Sequence, residues 1–264
     1  MTLADVVSPQ DSQRGPIGVA NARSVRRAIE DGRILGFFCE TVFSLEGIQR
    51  NERSIVLGST IIKSHIETFV APEGHEVTNI NLKLIQSARK PVNKIQIERF
   101  EKAFDLGLKV LPVTRLGVPR GQHNFKMSYV EELSSHVLLW KLDRGSKIIS
   151  AIEARGCGAA LVRRIAYEIQ MELGGHGSLF YYLGKPRSRI EAKKINRAVN
   201  EWCDGDSVAS HFAYNNDLFC TEDFGKSASG ATIFESKNRA WLTSQFGIRF
   251  VTMEQLVNVL SDYN

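Results

Sequence analysis

From residue 21 onward the chain alternates between helical spacing of its apolar positions and short apolar runs. Asn21–Glu30 has helical spacing and is stopped by Asp31-Gly32; Ile34-Leu-Gly-Phe-Phe-Cys39 then reads as a buried strand with Glu40 at its tip. A β-branched run from Ile55 to Glu67 leads to Pro72-Glu-Gly-His75, and Asn93–Asp105 returns to a helical pattern closed by Gly107. Leu108-Lys-Val-Leu-Pro-Val113 predicts a second buried strand, with Pro112 placing its end near an edge or exit. Helical stretches follow near Tyr129–Glu153 and Ala159–Leu173, separated by Arg155-Gly-Cys-Gly158; they could form a cap or insertion. After Gly174-Gly-His-Gly177 comes a charged helix, Ile190–Trp202, then a helix over Ser207–Tyr214 and a strand, Leu218–Thr221, ending beside Asp223. Gly247–Val251 predicts a last strand and Met253–Leu260 a terminal amphipathic helix.

Strands alternating with helices argue for an α/β fold with a mainly parallel sheet. Residues 1–20 carry Ser-Pro and Gly-Pro steps without apolar periodicity and read as a loose leader. With 264 residues, 43% of them apolar, the chain can bury a substantial core, which excludes disorder as the main description. No apolar stretch approaches the roughly 18 residues of a membrane span, and residues 1–13 lack an apolar signal core, so a cytoplasmic location is expected. Cys39, Cys157, Cys203 and Cys220 form no C-x-x-C pair, which suggests reduced thiols and no zinc knuckle.

The net charge of +5 allows an anionic partner, but the distribution of charge says more. Between Asn200 and Asp223 stand six carboxylates, Glu201, Asp204, Asp206, Asp217, Glu222 and Asp223, with no Lys or Arg. Just before them, Lys185, Arg187, Arg189, Lys193, Lys194 and Arg197 face only Glu191. Carboxylates gathered at strand ends and helix starts lie where open α/β sheets build sites, and such a cluster is costly unless cations neutralise it. Oxygen ligands of this kind suit Mg²⁺ or Mn²⁺.

The segment Asp204-Gly-Asp-Ser-Val-Ala-Ser-His-Phe-Ala-Tyr-Asn-Asn-Asp-Leu-Phe-Cys-Thr-Glu-Asp-Phe224 resembles the late signature of PIN domains, a family of metal-dependent ribonucleases that includes many bacterial toxins. In that family an Asp opens a helix and a short strand later ends in Thr-x-Asp; Asp206, Thr221 and Asp223 match. Gly247–Leu256 resembles the closing strand and helix, and Phe37-Phe-Cys-Glu-Thr41 the first strand tip, with Glu40 where the family has Asp. The resemblance covers about 206–260 and 33–45. It implies a PIN-like α/β/α sandwich over 21–264 with a helical insertion at about 120–200.

The resemblance further implies a Mg²⁺ or Mn²⁺ site held by Glu40, Asp206, Asp223 and a mid-domain acid, for which Glu153 is chosen ahead of Glu131 and Glu132. Asp204 and Asp206 divide the roles of helix cap and ligand, in an order the sequence leaves open. The implied activity is hydrolysis of RNA phosphodiester bonds, with an antitoxin or other protein as partner and a homo-oligomer compatible. Lys185, Arg187, Arg189, Lys193 and Arg197 would hold the RNA backbone, with Arg163 and Arg164 beside them; the bland alternative is a solvated helix face. Phe180, Tyr181 and Tyr182 would stack bases or pack in the core, and His211 reads as packed. The alternative function is a PIN-like module without catalysis that binds RNA or protein. A phosphotransferase is disfavoured, since Glu40 is followed by no second acid and no G-x-x-x-x-G-K-[S/T] loop occurs.

Overall fold

The computed structural model describes residues 3–88, 90–115, 121, 124, 126–130, 134–176, 178–225 and 232–262. In chain order the helices are α1 (Leu3–Val7), α2 (Gly15–Glu30), α3 (Glu40–Ser44), α4 (Arg50–Gly58), α5 (Lys94–Asp105), α6 (Ser135–Ala154), α7 (Ala159–Leu173), α8 (Leu179–Leu183), α9 (Arg189–Ala213), α10 (Ser236–Phe246) and α11 (Met253–Asp262). The strands are β1 (Phe37–Cys39), β2 (Thr60–Val70), β3 (Glu76–Gln86), β4 (Lys109–Leu111), β5 (Phe219–Cys220) and β6 (Phe250–Val251). The fold is mixed α/β. β1 pairs in parallel with β4, and β5 with β6, while the longest ladder is the antiparallel hairpin β2–β3. Among the described residues the expected mainly parallel sheet is therefore reduced to two short parallel pairs and one parallel bridge, Val110 with Tyr129.

Helix α9 organises the interior. It starts on Ser188-x-x-Glu191: the Ser188 hydroxyl accepts from the Glu191 N–H at 3.1 Å, and the Glu191 carboxylate accepts from the Arg187 N–H at 2.7 Å. Ile195, Ala198, Val199, Trp202 and Cys203 bury one flank against α7, α8 and α4; Val208 and Ala209 bury the other against α6, α10 and the β5–β6 pair. The sequence pattern predicts two helices here, interrupted near Asp204-Gly-Asp206. The helix runs through, with Gly205 packed against the loop before α7: a Cβ there would stand 3.2 Å from the Gly158 Cα, a tight contact that the loop could relieve only by giving a few tenths of an ångström.

Three other elements differ from the sequence expectation, each for a packing reason. The stretch expected to be a loose leader folds: α1 buries Val6 and Val7 with α2 and α11 in a second core. Ile55 to Glu67 divides into the end of α4 and the start of β2, and the alternating Glu76–Gln86, with no expected strand, pairs with β2 along its whole length. Tyr129 lies in extended chain beside Val110, whose N–H and C=O bond Ser128 and Val130, so α6 starts only at Ser135. Helix α7 matches its expected bounds and is stopped by Gly174, whose φ of 64° suits glycine.

Helices α4 and α8 meet with no side chain between them. A Cβ on Gly58 would lie 2.3 Å from the Gly184 Cα. We expect Gly58→Ala to lower unfolding stability in urea by about 1–3 kcal/mol, because the neighbouring atom is backbone and cannot swing aside. Helix propensity favours Ala by up to about 1 kcal/mol, so a neutral or stabilised variant would contradict this crossing.

Candidate functional site

The acids separate into two groups on different sides of α9. Glu40, at the start of α3, is buried and accepts from the Tyr129 hydroxyl at 3.0 Å and the Val113 N–H at 3.4 Å. The chain leaving β4 continues two residues further to Arg115. Its guanidinium meets Glu153 at 2.8 Å and Asp206 at 3.1 Å. Trp202 Nε1 donates to the other oxygen of Asp206 at 2.9 Å, and Arg163 holds Glu153 from outside at 2.5 Å. Glu40, Glu153 and Asp206 thus gather around the segment Val113–Arg115, but two of the three are already neutralised by an internal cation.

Electrostatics follow from this arrangement. Burial pushes Asp206 up to about 6, against the pull of Arg115 and Trp202. Burial also opposes ionisation of Glu153, but Arg163 and Arg115 outweigh it and hold that carboxyl below its ordinary value. Burial works against the charge on Arg115, and Asp206 and Glu153 overcome it, so the guanidinium stays charged.

The second group lines a cleft of about 1330 Å³. Its wall carries Asn200, Asp204, Ser207 and His211, one face of α9, together with Glu46, Thr221 and Asp223. Asp223 is positioned by Thr221, whose hydroxyl accepts from the Asp223 N–H at 3.1 Å, while the Asp223 carboxylate accepts from the Gly225 N–H at 2.8 Å. Asp204 differs: among the described residues nothing donates to its carboxylate. Asp204 is half-buried in the cleft wall; desolvation there raises its pKa well above the ordinary value, and the charges of Glu46, Glu201 and Asp223 raise it further. Glu46 is raised as well, by burial, against Arg53 and Arg50. Arg53 is not a mobile counterion, since it is spent on Ile48 O, Glu46 O and Asn200 Oδ1.

Of the acids expected at a metal, Asp223 lines this cleft with Asp204, whereas Glu40, Asp206 and Glu153 do not. Glu131 and Glu132 lie outside the described residues. Among the described residues no three His, Cys, Asp or Glu side chains stand close enough together to hold a metal ion as they are placed. The residues that the sequence reading missed are Glu46 and Arg115, which sit after an element end with no spacing to mark them. Glu201, noted only as part of the acidic run, accepts from the N–H groups of Gly158 (3.4 Å) and Ile233 (2.6 Å), a structural task.

The basic segment is exposed but outside the cleft. Arg187 is engaged by Glu172 and Glu191, and Lys185 by Tyr181, while Arg189, Lys193 and Arg197 run along one exposed side of α9. Arg163 and Arg164 pair with Glu153 and Glu168. Tyr182 is buried, Phe180 stacks on Trp202 and Tyr181 is exposed. His211 is packed edge-on against Phe219, and burial lowers its pKa to about 4. Arg50 and Arg99, by contrast, line the cleft itself.

In comparisons with known proteins, no family model matches the chain, and neither a curated protein nor a solved structure matches it. No helix among the described residues is long and apolar enough to cross a membrane.

Buried acids leave a signature in stability. Burial pushes Glu201 from 4.5 up to about 6, against hydrogen bonds from Thr232, Ile233 and Gly158. The folded chain therefore holds this proton more tightly than the unfolded chain. Its stabilisation is complete below about 4.5 and is lost as pH rises through about 6. Between these limits the wild type should lose about 2 kcal/mol more than Glu201→Gln, read as the difference between their urea unfolding free energies across pH. Parallel pH profiles would show that Glu201 is not buried as a carboxyl.

Proposed function

We propose that the chain is a metal-dependent ribonuclease of PIN-like architecture whose cation site is the cleft holding Asp204 and Asp223. The observation that carries this reading is Asp204: a half-buried carboxylate in the wall of a cleft, without a hydrogen-bond donor among the described residues and within the field of three further acids, Glu46, Glu201 and Asp223. Such a charge is costly unless a cation answers it. Asp206 has already been answered by Arg115. The sequence expectation assigned one of Asp204 and Asp206 the role of helix cap, but both lie inside α9, whose cap is Ser188; of the two, Asp204 is read here as the ligand.

The donor set is all oxygen, which suits Mg²⁺ or Mn²⁺. Asp204 and Asp223 would hold the ion, with Glu46 of the same cleft as a third oxygen donor. A bound divalent ion would supply Lewis-acid stabilisation of the charge that gathers on a phosphodiester during cleavage. Thr221 fixes the main chain of Asp223. Arg50 and Arg99 would take the flanking phosphates along the cleft wall, with the exposed row Arg189, Lys193 and Arg197 as a path further out.

A specific observation also favours the second reading, a module that binds RNA or protein without cutting it. Glu153 and Asp206, two of the expected ligands, are occupied by an arginine. Cleavage of a fluorogenic single-stranded RNA in Mg²⁺ or Mn²⁺ separates the readings. We expect Asp204→Asn and Asp223→Asn each to lose at least about a hundredfold in rate, the loss of several kcal/mol of charge stabilisation. Asp206→Asn should keep most of its rate and change stability instead. A wild type with no divalent-dependent cleavage, or an Asp204→Asn variant at full rate, would sink the catalytic reading.

The path of the RNA is read from salt dependence. For a single strand, every phosphate that the protein ceases to neutralise should reduce the slope of log affinity against log salt by roughly 0.7. Arg50→Gln with Arg99→Gln is expected to lower the slope by about 1.4, on the same scale. An unchanged slope in that double variant, with a reduced one in the Arg189, Lys193 and Arg197 triple Gln variant, would move the path out of the cleft.

A further inference from the structure

Helix α9 is 25 residues long, and its uncovered polar positions fall on one line. In the first turns Arg189, Lys193 and Arg197 are exposed. From Asn200 to Ser210 every residue is buried except Asn200, Asp204 and Ser207, and these three line the cleft, with His211 one turn beyond. At about 100° per residue, these seven positions lie within an arc of about 80° around the helix axis. The exposed basic row and the cleft wall are therefore two stretches of one continuous face, basic at the open end and carrying Asp204 where the face becomes enclosed.

Charge is concentrated at the open end. From Ala159 to Val199 eight Lys and Arg stand against three Glu, an excess equal to the net charge of +5 of the whole chain. The acids of this stretch do not interrupt the row. Glu168 pairs with Arg164, and Glu172 and Glu191 engage Arg187. Glu191, although on α9 itself, stands about 200° around the axis from Arg189.

Shape decides among anionic partners. The row is one side chain wide, its charges are about 6 Å apart along the axis, and it leads into a cleft. A flat bilayer can meet the open end but cannot follow it inward. A duplex presents two rows of phosphates, whereas a single strand presents one. From Arg189 to Asp204 the face runs for about 22 Å at about 1.5 Å per residue. At about 3.4 Å per phosphate along a strand, that is the length of about six nucleotides.

We propose that this face of α9 is a guide for single-stranded RNA, seating about six nucleotides along Arg189, Lys193, Arg197 and Asn200 and delivering the next phosphate to Asp204 and Asp223. The guide rests on the reading of the cleft as a ribonuclease cation site and specifies the substrate of that site: a single strand with a flank long enough to reach the basic row.

Fluorescence anisotropy in EDTA, with labelled oligouridylates of four and twelve nucleotides, measures the guide without the reaction. Wild type should bind the twelve-nucleotide strand at least about tenfold more tightly at about 50 mM salt, because the shorter one cannot span the row. Arg189→Gln/Lys193→Gln should weaken the longer strand at least about fivefold and lower its salt slope by about 1.4. Arg164→Gln/Lys194→Gln makes the same change of charge off the line and should stay within about twofold of wild type. All four side chains are exposed, so circular dichroism should be unchanged in both variants. Equal losses in the two variants, equal affinity for the two strands, or no RNA binding each overturns the guide, and wild type that binds anionic vesicles but not RNA gives the row to a membrane and overturns it too. Continuity with the cleft is read by photo-crosslinking an eight-nucleotide strand, carrying 4-thiouridine at each position in turn, to Asp204→Asn/Asp223→Asn in EDTA, where the charges that repel the strand are removed. Crosslinks should pass from residues 189–197 at one end of the strand to residues 200–223 at the other; crosslinks confined to 189–197 overturn the guide. The two readings fail separately. Length-dependent binding without cleavage in Mg²⁺ or Mn²⁺ keeps the guide and removes the ribonuclease, whereas cleavage at equal rates on the short and long strands keeps the ribonuclease and overturns the guide.

Discussion

The constraint on which the structure turns is the cost of burying carboxylates in α9. Glu201, Asp204 and Asp206 lie within two turns of one helix that is covered on both flanks. An ionised carboxyl in such a place needs donors, a cation or a proton. Each acid meets that demand differently. Glu201 takes two backbone N–H groups and thereby ties α9 to the loops at Gly158 and Ile233. Asp206 takes Arg115 and Trp202, which ties α9 to the exit of β4 and, through Glu153, to α6. Asp204 has no donor among the described residues and opens on the cleft.

Helical geometry produces this division. Residues two apart stand about 200° apart around the axis, so Asp204 and Asp206 face opposite sides of α9. One acid becomes part of the framework and the other opens on the cleft. The parallel pairs β1–β4 and β5–β6 set the two environments: β4 delivers Arg115 to one side, and β5 ends beside Asp223 on the other. Fold and site therefore depend on the same helix.

Much of this was legible in the sequence where one physical signal acted alone. Helix α7 and the terminal α11 follow from apolar spacing, and β1, β4, β5 and β6 from short apolar runs. The acidic run was visible as composition, and Thr221 with Asp223 as a strand end. Signals failed where two of them competed. Asp204-Gly-Asp206 has the local chemistry of a helix break, yet α9 is continuous there, buried on both flanks and with Gly205 packed closely on Gly158. The expected leader has turn residues, yet Val6 and Val7 bury themselves in a core completed by α11 at the far end of the chain. Arg115 was not found because its role exists only once β4 stands beside α9. The face of an acid on a helix is set by its neighbours, so which of Asp204 and Asp206 meets Arg115 and which lines the cleft needed the structure.

The measurement that bears most directly on the division between framework acid and cleft acid is anomalous diffraction from a crystal soaked in Mn²⁺. The expected result is a peak in the cleft between the carboxylates of Asp204 and Asp223, within reach of Glu46, with Arg115 still bridging Asp206 and Glu153. A peak among Glu40, Glu153 and Asp206 with Arg115 displaced, or no peak near Asp204, would contradict it.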